Sequence, residues 1–103
     1  MHFFVRLEPL PNKEAEFREE LLRVIEATRS ESGCVSIRAF ESLREPFTFA
    51  IHSEWADEAA LEMHSQLPHT LRFVRATEEL LTHDLKGVRT REIGGWLGAD
   101  SSA

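Results

Sequence analysis

Hydrophobic and polar positions change period several times along the chain, and each change marks an element boundary. Residues 2–8, HFFVRLE, alternate: Phe3, Val5 and Leu7 fall on one side, His2, Phe4, Arg6 and Glu8 on the other. That pattern predicts a strand. PLPN at 9–12 breaks it, and Asn12 suits the left-handed backbone such a turn often needs. From 13 to about 31 the period becomes helical. Phe17, Leu21, Val24, Ile25 and Thr28 form one stripe, while Glu14–Arg18 and Glu19–Arg23 are acid-before-base pairs on the solvated face. Gly33 sits where a left-handed residue closing the helix is expected.

Two further alternating runs, CVSIRAFES at 34–42 and FTFAIHSEW at 47–55, are joined by the turn LREP. They predict an antiparallel hairpin. In the first run, Val35, Ile37 and Ala39 oppose Cys34, Ser36, Arg38 and Phe40; in the second, Phe47, Phe49, Ile51 and Trp55 oppose Ala50 and His52. Residues 57–66 predict a short helix with Asp57 as its N-cap, and Pro68 suits the first turn of another running to about His83. KGVRTREI at 86–93 predicts a fourth strand. The order is β-α-β-β-α-β with the second helix broken at Leu67-Pro68, the ferredoxin-like α+β pattern of a four-stranded antiparallel sheet with helices on one face. The domain spans 1–94, and the Gly- and Ser-rich residues 95–103 form a flexible tail.

The uncovered face of that sheet carries Phe4 and Phe40 among its apolar residues, too many to leave to water. A homodimer packing sheet against sheet would cover it, and Arg6, Arg38, His52 and Glu54 would then need partners across the interface.

Composition narrows the partners. A chain of 103 residues makes one domain with a modest core. The net charge of −6 argues against nucleic acid as the main partner. KGVRTR at 86–91 reads as the solvent side of a strand. Cys34 is the only cysteine, so no intrachain disulfide forms, and it reads as a small buried hydrophobe. The N-terminal run is too short and charged for a signal peptide, and no apolar run approaches membrane-spanning length. These point to a cytoplasmic protein with no membrane partner.

PLPNKEAEFREEL, SGCVS, ESLREPFTF, EWADEAALEMHSQLPH and then Phe73, in that order and at those separations, resemble the antibiotic biosynthesis monooxygenase family over roughly residues 2–93. The resemblance implies a small dimeric α+β barrel. It implies cofactor-independent oxygenation of quinols or polyketide-type aromatics, though the family also holds heme-degrading members and isomerases of phosphorylated diketones. The chain departs from the common pattern: Asn12 replaces a turn Gly, Ile37 stands where a Tyr is common, and Glu54 lies one place later than the usual Glu, which is Ser53 here. Heme degradation is not expected, because Val5, His64 and a residue near Arg75 occupy the positions those members use.

The resemblance also implies a ligand pocket between sheet and helices. Its lining would be Val5, Ile37, Ile51, Ser53 and Trp55 from strands, with His64, His69 and Phe73 from helices. Such a pocket suits a flat aromatic or quinol-like molecule. Ala60, His64 and Leu67 share a helical face, so His64 should point inward. It is the first candidate for taking a phenolic proton, leaving a phenolate that reacts with oxygen directly; equally it could be a core histidine bonded to a backbone carbonyl. His69 could hydrogen-bond a substrate oxygen or brace the helix break. Trp55 and Phe73 could stack on a ring or serve as core. No metal site is expected: the two histidines are five apart with Pro68 between them, and no acid or Cys obviously joins them. The leading expectation is therefore a homodimeric, cofactor-independent monooxygenase. An isomerase of a small, possibly phosphorylated, carbonyl compound is one alternative, for which the pocket shows no cationic anchor. A non-catalytic dimer that binds a small hydrophobic ligand is the other.

Overall fold

The computed structural model of the chain describes residues 1–98; residues 99–103, most of the expected tail, lie outside the described residues. Strand β1 (His2–Leu7) leads through a turn to helix α1 (Glu14–Thr28), then to the hairpin of β2 (Cys34–Glu41) and β3 (Phe49–Trp55). Helices α2 (Glu58–His64) and α3 (Pro68–Thr77) follow, and β4 (Gly87–Thr90) ends the regular structure. The strands form one antiparallel sheet in the order β2-β3-β1-β4, the ferredoxin-like α+β arrangement. Helices cover one face, and the core lies between the two layers.

The expected stripe of α1 is what this core is made of. Phe17, Leu21, Val24 and Thr28 are buried, and Phe17 meets Phe49 edge-on with ring centroids 5.1 Å apart. Full burial of a side chain such as Phe17 contributes about 1.5–3 kcal/mol. Along β3 burial alternates strictly, with Phe49, Ile51, Ser53 and Trp55 inward. Asn12 adopts φ 68°, as its turn requires. Asp57 caps α2, accepting the Ala60 N–H at 2.8 Å.

Several expectations change in the folded chain. Val35 is 60% exposed instead of inward, because a bulge between Cys34 and Ser36 inserts an extra residue opposite β3. One inserted residue shifts the alternation, so Cys34 lies opposite the buried Trp55. Gly33 is not left-handed. Close packing is its reason instead: a Cβ there would lie 2.4 Å from the Ala60 Cβ. Helix α3 stops at Thr77 rather than near His83. Leu80 and Leu81 continue the apolar spacing, yet they bury themselves beside β1, where the Leu10 N–H donates to the Leu80 carbonyl at 2.8 Å and Pro9 bridges Leu81.

Strand β4 ends at Thr90 because Thr90 already pairs with His2, and β1 offers no further residue. Residues 91–98 adopt no helix or strand, and Ile93, Trp96 and Leu97 are exposed. Arg89 stays exposed, as expected for its stretch, but lies on the helix side of the sheet: it pairs with Phe3 and reaches Glu58 and Glu62 on α2. On the uncovered face Phe4, Phe40 and Val88 are about half exposed or more. His2, His52 and Phe4 stack there, with His2 Nδ1 2.8 Å from His52 Nε2.

Candidate functional site

A cavity of about 310 Å³ opens between the sheet and the helices. Val5, Ile37 and Ile51 floor it from the strands, and Leu61, Val24 and Phe73 close it from the helices. Such a volume lies at the lower end of the roughly 300–1,000 Å³ typical of small-molecule sites. Its polar groups are few: Ser53, His64, Ser65, Thr28 and Thr70, with Lys86 and Arg89 joining from the β4 side.

Of the expected lining, Val5, Ile37, Ile51, Ser53, His64 and Phe73 are in place. Trp55 and His69 do not line this cavity. Trp55 is 2% exposed and stands behind it, donating its indole N–H to Ser53 Oγ at 2.9 Å and packing 4.7 Å from the His64 ring. His69 sits on the far side of His64, where its first-turn position on α3 turns it toward Glu31.

Glu31 is the residue missed by the linear reading. It lies in the link between α1 and β2, where its N–H donates to the Thr28 carbonyl and its own carbonyl accepts the Cys34 N–H, both at 3.0 Å. One carboxylate oxygen, Oε2, is 2.7 Å from His64 Nδ1 and 2.6 Å from His69 Nε2. The Glu31 and His64 side chains are 10% and 16% exposed, so the pair is largely shielded from water. A carboxylate can only accept, so each ring donates from the nitrogen that faces it. In neutral His64 the proton is then on Nδ1 and the lone pair on Nε2, which has no protein partner among the described residues. Thr70 Oγ1 stands 3.3 Å from the same Nδ1 and limits ring rotation. The result is a histidine at the cavity wall, oriented by an acid and with Nε2 unpartnered among the described residues.

The hairpin register held a signal for Glu31. Cys34 pairs with Trp55, so the residues just before 34 lie beside those just after 55, where α2 begins. The absence of a cationic anchor was also wrong. Arg89 lines the cavity while bound to Glu58 and Glu62, which push its guanidinium above its ordinary value. Lys86 lines it too and forms no ion pair among the described residues. Burial pushes the Cys34 thiol up, and the nearby Glu31 charge adds to this, so the thiol is poorly suited to act as a nucleophile.

The fold is a ferredoxin-like α+β domain with an apolar cavity between its sheet and its helices. The sequence profile described as Antibiotic biosynthesis monooxygenase matches residues 2–76, and the chain belongs to that family. It is 36% identical over 80 residues to a Bacillus subtilis protein named "Putative monooxygenase YcnE", covering 78% of this chain and 84% of that protein. Among solved structures it is similar to PA3566 from Pseudomonas aeruginosa, with a TM-score of 0.82 and 26% identity over 90% of this chain and 93% of the other. A Nitrosomonas europaea protein named "Putative antibiotic biosynthesis monooxygenase" is similar in fold, with a TM-score of 0.84 at 18% identity over 91% of this chain and all (100%) of the other.

Proposed function

We propose that the protein is a cofactor-independent monooxygenase of a small aromatic or quinol, with His64 as the base. The observation that carries this is the Glu31–His64 pair at the wall of an apolar cavity. His64 Nε2 takes the phenolic proton and Glu31 steadies the imidazolium that forms. The phenolate, held among Ile37, Ile51 and Phe73, is electron-rich enough to reduce dioxygen. A hydroquinone and dioxygen give a hydroxyquinone and water; both electron pairs come from the substrate, so no external reductant is needed. His64 then returns its proton to the departing oxygen. His69, which acts through Glu31, is a positioning residue in this scheme.

The family membership and the Bacillus relative support oxygenation as the reaction class. The sheet face bearing Phe4, Phe40 and Val88 supports a homodimer as the working form. Among the described residues no helix is long and apolar enough to cross a membrane.

Oxygen uptake with a panel of hydroquinones tests this reading. Uptake above autoxidation should fall by about 10²-fold or more in His64→Ala. Uptake that survives the substitution places the proton chemistry elsewhere. Ligand binding with no uptake supports a non-catalytic carrier. Lys86 and Arg89 favour a second reading, isomerisation of a small carbonyl compound bearing an anionic group. That activity would consume no oxygen and would fall in Lys86→Ala.

A further inference from the structure

We propose that Glu31, His64 and His69 bind one divalent transition-metal ion, and that the bound ion switches His64 from a base to a donor. The second half rests on His64 being the base; the first half does not.

Three separate elements converge here: the link after α1, the last residue of α2 and the first turn of α3. Glu31 Oε2, His64 Nδ1 and His69 Nε2 lie within 4.8 Å of one another. Their side chains are 10%, 16% and 26% exposed, sheltered yet reachable by an ion. Two imidazole nitrogens and one carboxylate oxygen suit zinc, cobalt, nickel or copper, whereas magnesium and calcium favour all-oxygen shells. Three protein ligands leave a fourth position open.

The atoms now touch through hydrogen bonds of 2.7 and 2.6 Å. Zinc ligands at about 2.0–2.1 Å from the metal stand about 3.3 Å apart along a tetrahedral edge. Each ring must therefore draw back by roughly 0.6 Å, a displacement that small side-chain rotations supply. The ion replaces the two hydrogen-bonded protons as what holds the carboxylate to the rings, so the cluster's architecture is kept.

The chemical consequence follows from the tautomer. Metal at Nδ1 of a neutral His64 obliges the ring proton to sit on Nε2. That proton moves within the ring system by way of solvent, and no net proton is released from the histidine. Nε2, the nitrogen without a protein partner among the described residues, then carries N–H instead of a lone pair. A cavity occupant could still be hydrogen-bonded, but its phenolic proton could no longer be taken.

The test uses the full chain stripped with a chelator. Zn²⁺ is titrated calorimetrically, and Co²⁺ is titrated while its visible d–d bands are followed. One ion per chain is expected, with affinity lowered at least tenfold in Glu31→Gln and His69→Ala and with the cobalt bands lost in both. Circular dichroism confirms that each variant is folded. Failure to bind tighter than about 100 µM, or binding unchanged in both variants, overturns the site. Hydroquinone-dependent oxygen uptake should fall in proportion to Zn²⁺ occupancy and return when the chelator is added back. Uptake that rises with occupancy overturns the switch. Metal binding as described, with no uptake from either form, supports the site and overturns the reading of His64 as the base.

Discussion

Glu31 Oε2 lies 2.7 Å from His64 Nδ1, across a separation of 33 positions in the chain. The contact sets the tautomer of neutral His64, because the carboxylate claims the proton on Nδ1 and leaves the lone pair on Nε2. The chemistry attributed to His64 therefore depends on a residue that does not itself line the cavity.

Glu31→Gln tests that dependence. The amide keeps the shape but removes the charge that stabilises an imidazolium, and it can present either a donor or an acceptor to Nδ1. We expect oxygen uptake to lose about ten- to a hundredfold in kcat, with KM for the hydroquinone nearly unchanged. A variant that loses only apparent affinity would show that Glu31 shapes the cavity and does not tune the base.

Gly87 faces the Phe3 ring so closely that a Cβ would lie 1.9 Å from Phe3 Cζ. Both residues line the cavity. In Gly87→Ala the ring must swing into the hollow. Aromatic ligands should bind at least about tenfold more weakly, while stability shifts by about 1 kcal/mol or less, since an aromatic ring at the cavity wall has space to move. Calorimetric binding together with urea denaturation separates the two effects.

Gly33 offers no such escape. The Ala60 Cβ would stand 2.4 Å from a new Cβ, and Ala60 belongs to the helix that carries His64. Gly33→Ala should destabilise the fold by about 1–3 kcal/mol through overpacking, seen as a lower urea midpoint at unchanged slope. A midpoint equal to that of the parent would mean that α2 slides without cost.

The uncovered sheet face gives an assembly prediction. Phe40 and Val88 are 54% and 62% exposed, and Arg38 shares their face. Arginine at both positions would set like charges against each other between two copies. Sedimentation equilibrium should show a dimer for the parent chain and a dissociation constant raised by about a hundredfold in Phe40→Arg/Val88→Arg. A parent chain that sediments as a monomer at micromolar concentration would remove the basis for this interface.

Much of the architecture was legible in the linear pattern. The alternation of β1 and β3, the stripe of α1, the cap at Asp57 and the turn at Asn12 all behave as read. Each depends on neighbours a few positions away, so the local period carries the information. The misplaced details have a common origin in tertiary contact. Val35 was turned outward by a bulge, α3 was cut short where Leu80 and Leu81 found burial beside β1, and β4 stopped where its partner strand ran out.

The site divides along the same line. The chain's own helical spacing turned His64 inward, while the apolar hollow bounded by Val5, Ile37, Ile51 and Phe73 was implied by the family resemblance. Only the folded structure brought Glu31 between His64 and His69, withdrew Trp55 and His69 from the cavity wall and brought Lys86 and Arg89 to it. Helical and strand periods say which way a side chain points from its own element. Which atoms meet depends on how separate elements pack, and no local repeat encodes that.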